Sequence, residues 1–268
     1  MRRLIPPIAI LVSALAAVAV ARGANPTYVT SPSGFFASWT LTPAPTGRPA
    51  RPLELLAVRA TFDVETAPPG ERPDVLRTYD LSFAGVHQNG RSFPHCSPRT
   101  VLRGGQGACA RARVGNGVVD LLAGGIGDPS DATPCRLALN LYNGPANRLL
   151  LVVNGGPDVV VNSATGPMTC PFPIGGLPIV ARWTNDRTGS HVRFAMPNAI
   201  QHPDQGIENA LIHLETQLRS PTVRAGRRRL RITESFTCPR GRFLAFTATV
   251  TGTQYPARDG ARAFAPCR

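Results

Sequence analysis

The sequence contains no lysine. All 29 of its basic residues are arginine, set against 16 acidic residues, for a formal charge of +13. Uniform arginine, with abundant Ala, Gly and Pro, is what a GC-rich coding sequence produces, so any single arginine carries little functional weight. The net excess still favours anionic partners over cationic ones. No recognisable RNA- or DNA-binding motif accompanies the charge, which leaves nucleic acid outside the expected partners. Also missing is any Cys-x-x-Cys pair with structural-zinc spacing, so neither a metal site nor another cofactor is expected. A G-x-S-x-G elbow is absent too, which removes that arrangement of an activated serine. The glycine runs Gly115-Asn116-Gly117 and Gly124-Gly125-Ile126-Gly127 do not open a long helix and lack the phosphate-binding lysine. They are expected as turns or bulges between strands.

Aromatics are few, at 6 %, while 26 Gly and 27 Pro are spread without a period along 268 residues. That composition suits many short strands joined by turns and little helix. The expected fold is all-β: a two-layer β-sandwich, or two packed β subdomains, with one short helix near residues 97–104. Residues 53–170 form an N-terminal β region and 171–268 a C-terminal one, which can combine into one composite domain. Residues 22–52, rich in Pro, Thr and Ser around Phe35, Phe36 and Trp39, are expected as a partly extended lead-in segment.

At the start of the chain Arg2 and Arg3 precede an apolar run from Ile8 to Val20, and Ala19-Val20-Ala21 has the small-residue pattern of a cleavage site. This predicts a signal peptide over residues 1–21 and a secreted or cell-envelope protein with no membrane span after cleavage. An uncleaved N-terminal anchor is the alternative. Six cysteines in an exported chain imply three disulfides. Sequence alone allows fifteen pairings; the sequential set, Cys96 with Cys109, Cys135 with Cys170 and Cys238 with Cys267, is the expected one.

The stretch around Cys96 and Cys109 is the best defined. Ser97 can cap the following amides, Pro98 sits where a first helical residue tolerates a missing N–H, and Gly104-Gly105 ends the turn. Such a helix is marginal alone, and a disulfide spanning it supplies what propensity does not. Strands are predicted over residues 55–64, 79–86, 114–122, 136–142, 149–153, 179–184, 191–196, 210–219 and 243–251. Asn89-Gly90 has the composition of a tight hairpin turn. LLLVV over 149–153 has no polar face and is expected to be buried on both sides. In 210–219, Ala210, Ile212, Leu214, Thr216 and Leu218 should share one face, and His213, Glu215, Gln217 and Arg219 the other.

Thr61-Phe62-Asp63, the LSFAGV strand, Asn89-Gly90, Phe93-Pro94-His95-Cys96, Ala108-Cys109 and Val114-Gly115-Asn116-Gly117 together resemble a family of uncharacterised secreted actinobacterial β-rich proteins with paired-cysteine hairpins. Phe236-Thr237-Cys238-Pro239 and the closing Cys267 resemble that family's C-terminal unit. The chain departs from the pattern at Val64 and Ala110, where proline is common, and at Phe243, near the usual tryptophan. The resemblance implies export, the disulfides and a β-rich fold; the family carries no activity to transfer.

Candidate chemistry is sparse. His87 and His95 would lie on neighbouring strands if the chain turned at Asn89-Gly90, giving a possible acid or base. Asp63 with Glu65, and Asp128 with Asp131, are the nearest carboxylate pairs, although Asp128-Pro129-Ser130-Asp131 has the composition of a turn. The only dense charge is Arg224, Arg227, Arg228, Arg229 and Arg231. On an extended strand Arg227, Arg229 and Arg231 point one way and could meet the phosphates or carboxylates of an envelope polymer. The expected function is a non-catalytic envelope module that binds an anionic polymer or surface protein. A secreted hydrolase with a spatially assembled carboxylate and histidine site is the alternative.

Overall fold

The computed structural model describes residues 27–29, 35–43, 55–64, 71–235, 243–252 and 259–266. The predicted signal peptide, Glu65 and the Cys238–Cys267 pair lie outside the described residues. In chain order the strands are β1 (Thr27–Val29), β2 (Phe35–Pro43), β3 (Leu55–Val64), β4 (Leu76–Ala84), β5 (Val86–Gln88), β6 (Arg113–Gly125), β7 (Thr133–Gly144), β8 (Arg148–Gly155) and β9 (Val161–Ser163). They continue with β10 (Gly166–Met168), β11 (Ile174–Asn185), β12 (Gly189–Ala195), β13 (Ile207–Arg219), β14 (Thr222–Ala225), β15 (Arg228–Arg231), β16 (Thr233–Ser235), β17 (Phe243–Gly252) and β18 (Asp259–Pro266). Among the described residues helix is confined to α1 (Pro98–Gly104), α2 (Asn198–Gln201) and short 3-10 turns. The fold is all-β.

Among the described residues twelve strands form one sheet in the order β1-β18-β17-β4-β12-β11-β8-β7-β6-β13-β3-β2, and every pairing within it is antiparallel. Strands from before and after residue 170 alternate in it, so no sheet boundary falls there. The sheet curls back on itself, and β2 packs beside β18 and β17. Across that junction Trp39 donates from Nε1 to the Leu244 carbonyl at 3.2 Å and lies against the rings of Phe83 and Phe246. Alternate residues of each strand meet in one apolar interior, including Phe62, Leu81, Leu137, Leu151 and Trp183. The gap left beneath α2, among residues such as Leu139, Met196 and Ile200, is apolar and about 20 Å³. That is roughly one water and no ligand.

β8 has no polar face. Leu149, Leu151 and Val153 enter the interior, while Leu150 and Val152 face outward and are covered with Tyr142 by Cys96, Val101, Cys109 and Ala112. Burying each such side chain stabilises by roughly 1.5–3 kcal/mol. The cover is the stapled segment. Ser97 accepts the Thr100 amide at 3.1 Å, Pro98 opens α1, and Gly105 at φ 66° closes it. A 3-10 turn over Gln106–Ala112, which the sequence did not suggest, carries Cys109 back to its bond with Cys96. Cys135 on β7 is bonded to Cys170, following β10, also as expected.

Three expectations need correction. Asn89-Gly90 is no hairpin turn: Asn89 is at φ −116° and a 3-10 turn follows. The Asn89 amide is committed to the Ile232 carbonyl at 2.8 Å, and Gln88 Oε1 takes the Gly90 amide at 2.6 Å. Gly90 is needed for space, because a Cβ there would press on Asn143 Oδ1. Asn143 Nδ2 donates to the Gly90 and Pro94 carbonyls at 2.9 and 3.0 Å. Secondly, the expected irregularity is confined to a register shift between Arg113 and Gly115, and Gly117 lies in regular β6 pairing, where a methyl would collide with the Glu215 carbonyl of β13. Thirdly, the alternation of β13 breaks at a bulge between Leu211 and His213, so Leu211 and Leu214 both enter the core and Ile212 is the extra residue.

Removing the Cys96–Cys109 bond releases a segment 13 residues long, which should lower stability by about 3 kcal/mol. Urea denaturation of Cys96→Ala/Cys109→Ala measures this. Hydrogen exchange should show the loss first at the amides around Leu150 and Val152, beneath the cover.

Candidate binding surface

The segment PTVRAGRRRLRI folds into a small hairpin of β14 and β15, joined through Gly226 at φ 62° and Arg227. Val223 and Leu230 face each other and pack against the core. Thr222, Arg224, Arg229 and Arg231 therefore share the opposite face, with Arg224 directly across from Arg229. Of the three predicted binding residues, Arg229 and Arg231 lie together, whereas Arg227 sits at the tip; Arg224 completes the face in its place. Like charges directly opposite one another are destabilising. Arg224, Arg227 and Arg229 are exposed, and among the described residues no carboxylate pairs with any of them. Arg229 donates only to Thr222 Oγ1, at 3.1 Å. Arg231 is tied down: its Nη1 donates to the Ser220 carbonyl at 3.3 Å and its amide to Glu234 Oε1 at 3.2 Å.

An open polar cleft of about 500 Å³ adjoins this hairpin. Gln88 and Asn185 brace it: Gln88 Nε2 donates to the Trp183 carbonyl at 3.1 Å, and the Asn185 amide spans the Gln88 N–H and carbonyl at 3.0 and 2.8 Å. One wall comes from the β7–β8 turn, where Ala146 and Asn147 adopt φ of 55° and 57°, a left-handed conformation that costs a residue such as alanine roughly 1–2 kcal/mol. Asn147 is held there by the Trp183 amide, which donates to its carbonyl at 2.8 Å, and by Arg91 Nε, which donates to Oδ1 at 3.2 Å. Asn89 forms the rim shared with the hairpin, donating from Nδ2 to the Arg231 carbonyl at 2.9 Å. Among the described residues none that lines the cleft is aromatic.

The predicted catalytic candidates are dispersed. His87 on β5 pairs across strands with Glu234, and its Nε2 is 3.4 Å from the Asp186 carbonyl. Burial pushes its pKa down, against the opposing charges of Asp186 and Glu234. His95 is exposed beside Cys96, and without the expected turn it has no strand that carries it to His87. Asp63 is instead joined to His213 on the neighbouring strand: its Oδ1 lies 2.5 Å from His213 Nδ1. The bulge in β13 sets His213 opposite both Asp63 and Asp120, and Asp120 holds Arg136 through two bonds of 2.5 and 2.8 Å. Arg136 is buried and also donates to Thr165 Oγ1 at 2.6 Å and the Gly166 carbonyl at 2.5 Å, pinning the β9–β10 flap to the sheet. A second imidazole, His191, lies between Asp186 at 2.8 Å and Asp80 at 3.7 Å. Among the described residues His191 and His213 have carboxylate partners, and no Ser, Thr or Cys side chain hydrogen-bonds either. Asp128 and Asp131 are used in turns, accepting the Ser130 and Gly125 amides at 3.0 and 2.7 Å. Among the described residues no group of three or more His, Cys, Asp or Glu could hold a metal ion.

One signal in the sequence went unread. No Asp or Glu occurs between Asp80 and Asp120, while Arg91, Arg99, Arg103, Arg111 and Arg113 do. The stretch that supplies Arg91 to the cleft is thus uniformly cationic, as is the hairpin on its other side. No family model matches this chain, and neither a curated protein nor a solved structure does.

Two outcomes follow from the charged row on the sheet. Hydrogen bonding to Asp63, aided by the charges of Asp63, Asp120 and Glu215 and opposed by burial, raises His213 above its ordinary 6.5. Protonated His213 therefore stabilises the fold fully below that value, and the contribution disappears as pH rises through the raised pKa. The melting-temperature gap between wild type and His213→Asn should be widest in mild acid and close on the alkaline side. Arg136→Met leaves Asp120 without its partner and should cost about 3–5 kcal/mol in urea denaturation, of which Asp120→Asn/Arg136→Met recovers part.

Proposed function

We propose that the protein is a secreted or cell-envelope, non-catalytic β protein that binds an anionic polymer through the β14–β15 hairpin. The observation that carries this reading is the facing of Arg224 and Arg229, with Arg227 at the tip, on a surface where no described carboxylate answers them. A folded protein holds like charges in register at a cost, and an anionic ligand removes that cost. Arginine's planar fork suits carboxylate and phosphate oxygens equally. The hairpin is also rigidly mounted, by Val223 and Leu230 on the core and by Arg231 on Ser220.

Export is supported by the N-terminal apolar run after Arg2 and Arg3, and by two disulfides among the described residues, which suit an oxidising compartment. No described helix is long and apolar enough to cross a membrane. The resemblance to secreted actinobacterial proteins points the same way.

Binding to polyglutamate and to inorganic polyphosphate tests the reading. Wild type should bind both, with affinity falling steeply as salt is added. Arg224→Gln/Arg227→Gln/Arg229→Gln should bind about tenfold more weakly or worse, with stability unchanged to within about 0.5 kcal/mol because all three side chains are exposed. Equal binding by the variant would remove the hairpin from the function.

A further inference from the structure

We infer that the cleft beside the hairpin is a sugar subsite, and that the polymer this protein binds is an acidic polysaccharide. The inference rests on the polyanion reading and adds the chemistry of the polymer's backbone. The cleft is preformed: the amides of Gln88 and Asn185 are consumed by backbone groups and cannot swing away. Without a partner among the described residues is a mixture of acceptors and donors at its surface, namely Asn89 Oδ1, Asn147 Nδ2, the hydroxyls of Ser92 and Thr184, and the terminal nitrogens of Arg91.

That set has a clear chemical complement. Each hydroxyl of a sugar ring both donates and accepts, so one ring can donate to Asn89 Oδ1, accept from Asn147 Nδ2 and do either with the two protein hydroxyls. An apolar ligand would leave all five groups unsatisfied. The space of about 500 Å³ lies within the roughly 300–1,000 Å³ of small-molecule sites. Arg91 supplies one cation inside the cleft, and Asn89, bonded to the Arg231 carbonyl, joins its rim to the strand that carries Arg229. A chain of acidic sugars seated at Asn147 and Thr184 can therefore place one carboxylate at Arg91 and the following ones along the hairpin. Nucleic acid fits less well: single strands are held by stacking bases on aromatic rings, and among the described residues no aromatic one lines the cleft.

The test compares polygalacturonate with polyglutamate, which carries carboxylates without sugars, and with single-stranded DNA, by isothermal titration calorimetry. Wild type should prefer polygalacturonate over polyglutamate by about tenfold, the worth of one or two hydrogen bonds. Asn147→Gly, which keeps the positive φ, combined with Thr184→Val, which keeps the side-chain shape, should abolish that preference and leave polyglutamate binding, carried by the hairpin, unchanged. Arg224→Gln/Arg227→Gln/Arg229→Gln should weaken both. Should the turn substitution lower the melting temperature, Ser92→Ala/Thr184→Val, away from the turn, decides in its place. Undiminished preference in the cleft variants, alongside loss in the hairpin variant, overturns the sugar subsite and leaves the polyanion reading standing. A wild type that binds neither polymer overturns both, and one that prefers DNA to polygalacturonate overturns the subsite.

Discussion

The two-sided apolarity of β8 is the constraint from which the rest of the architecture follows. A strand with leucine or valine at five successive positions, Leu149 to Val153, cannot lie in a sheet with one wet face. Its inner residues are answered by the curled sheet, which brings the strands on either side of it around a common interior. Its outer residues need a separate cover, and residues 96–112 provide one that is too short to be stable as a free helix. The disulfide, the Ser97 cap and the anchoring of Gly90 and Pro94 by Asn143 all serve that cover. The cleft lies at the seam where the chain leaves β5 to form it.

Electrostatics divides the molecule in two. The carboxylates of the sheet are matched within the fold: Asp120 with Arg136, Glu208 with Arg72, Glu215 with Arg59, Asp80 with Arg193, Asp63 with His213. The buried Asp120–Arg136 pair ties the β9–β10 flap to the sheet, whereas exposed pairs such as Arg59–Glu215 contribute little. The acid-free stretch from Leu81 to Val119 and the β14–β15 hairpin are left with cations alone. A chain with an excess of arginine must leave some unmatched; Arg91 in the cleft and Arg224, Arg227 and Arg229 on the adjoining hairpin are among them.

How much of this was legible depended on range. Strands with strong alternation, the Ser97–Pro98 helix start and the Gly105 stop are local, and their chemistry is visible in the residues themselves. The two-sided burial of β8 was legible for the same reason. Asn89-Gly90 misled because an identical dipeptide serves a different need, close packing under Asn143, that only the tertiary neighbour reveals. The Asp63–His213 bond spans 150 positions and depends on a bulge at Ile212, so periodicity pointed His213 outward but could not supply its partner. Arg224 was passed over because the arginines were read along one strand; the hairpin pairs it with Arg229 from the other.

The order of strands across the sheet also dictates when the fold can be completed. β6, β7 and β8 follow one another in sequence and in space, so their contacts are local. By contrast β4 lies between β12 and β17, and β3 is bonded to β13, partners that come from the far end of the chain. Such pairings carry a large loop-closure cost and make folding slow. A nascent chain can finish its central meander early, but β3 and β4 keep open edges until the last third has been made. Until that moment the polypeptide is a finished meander with unpaired edges and no closed interior.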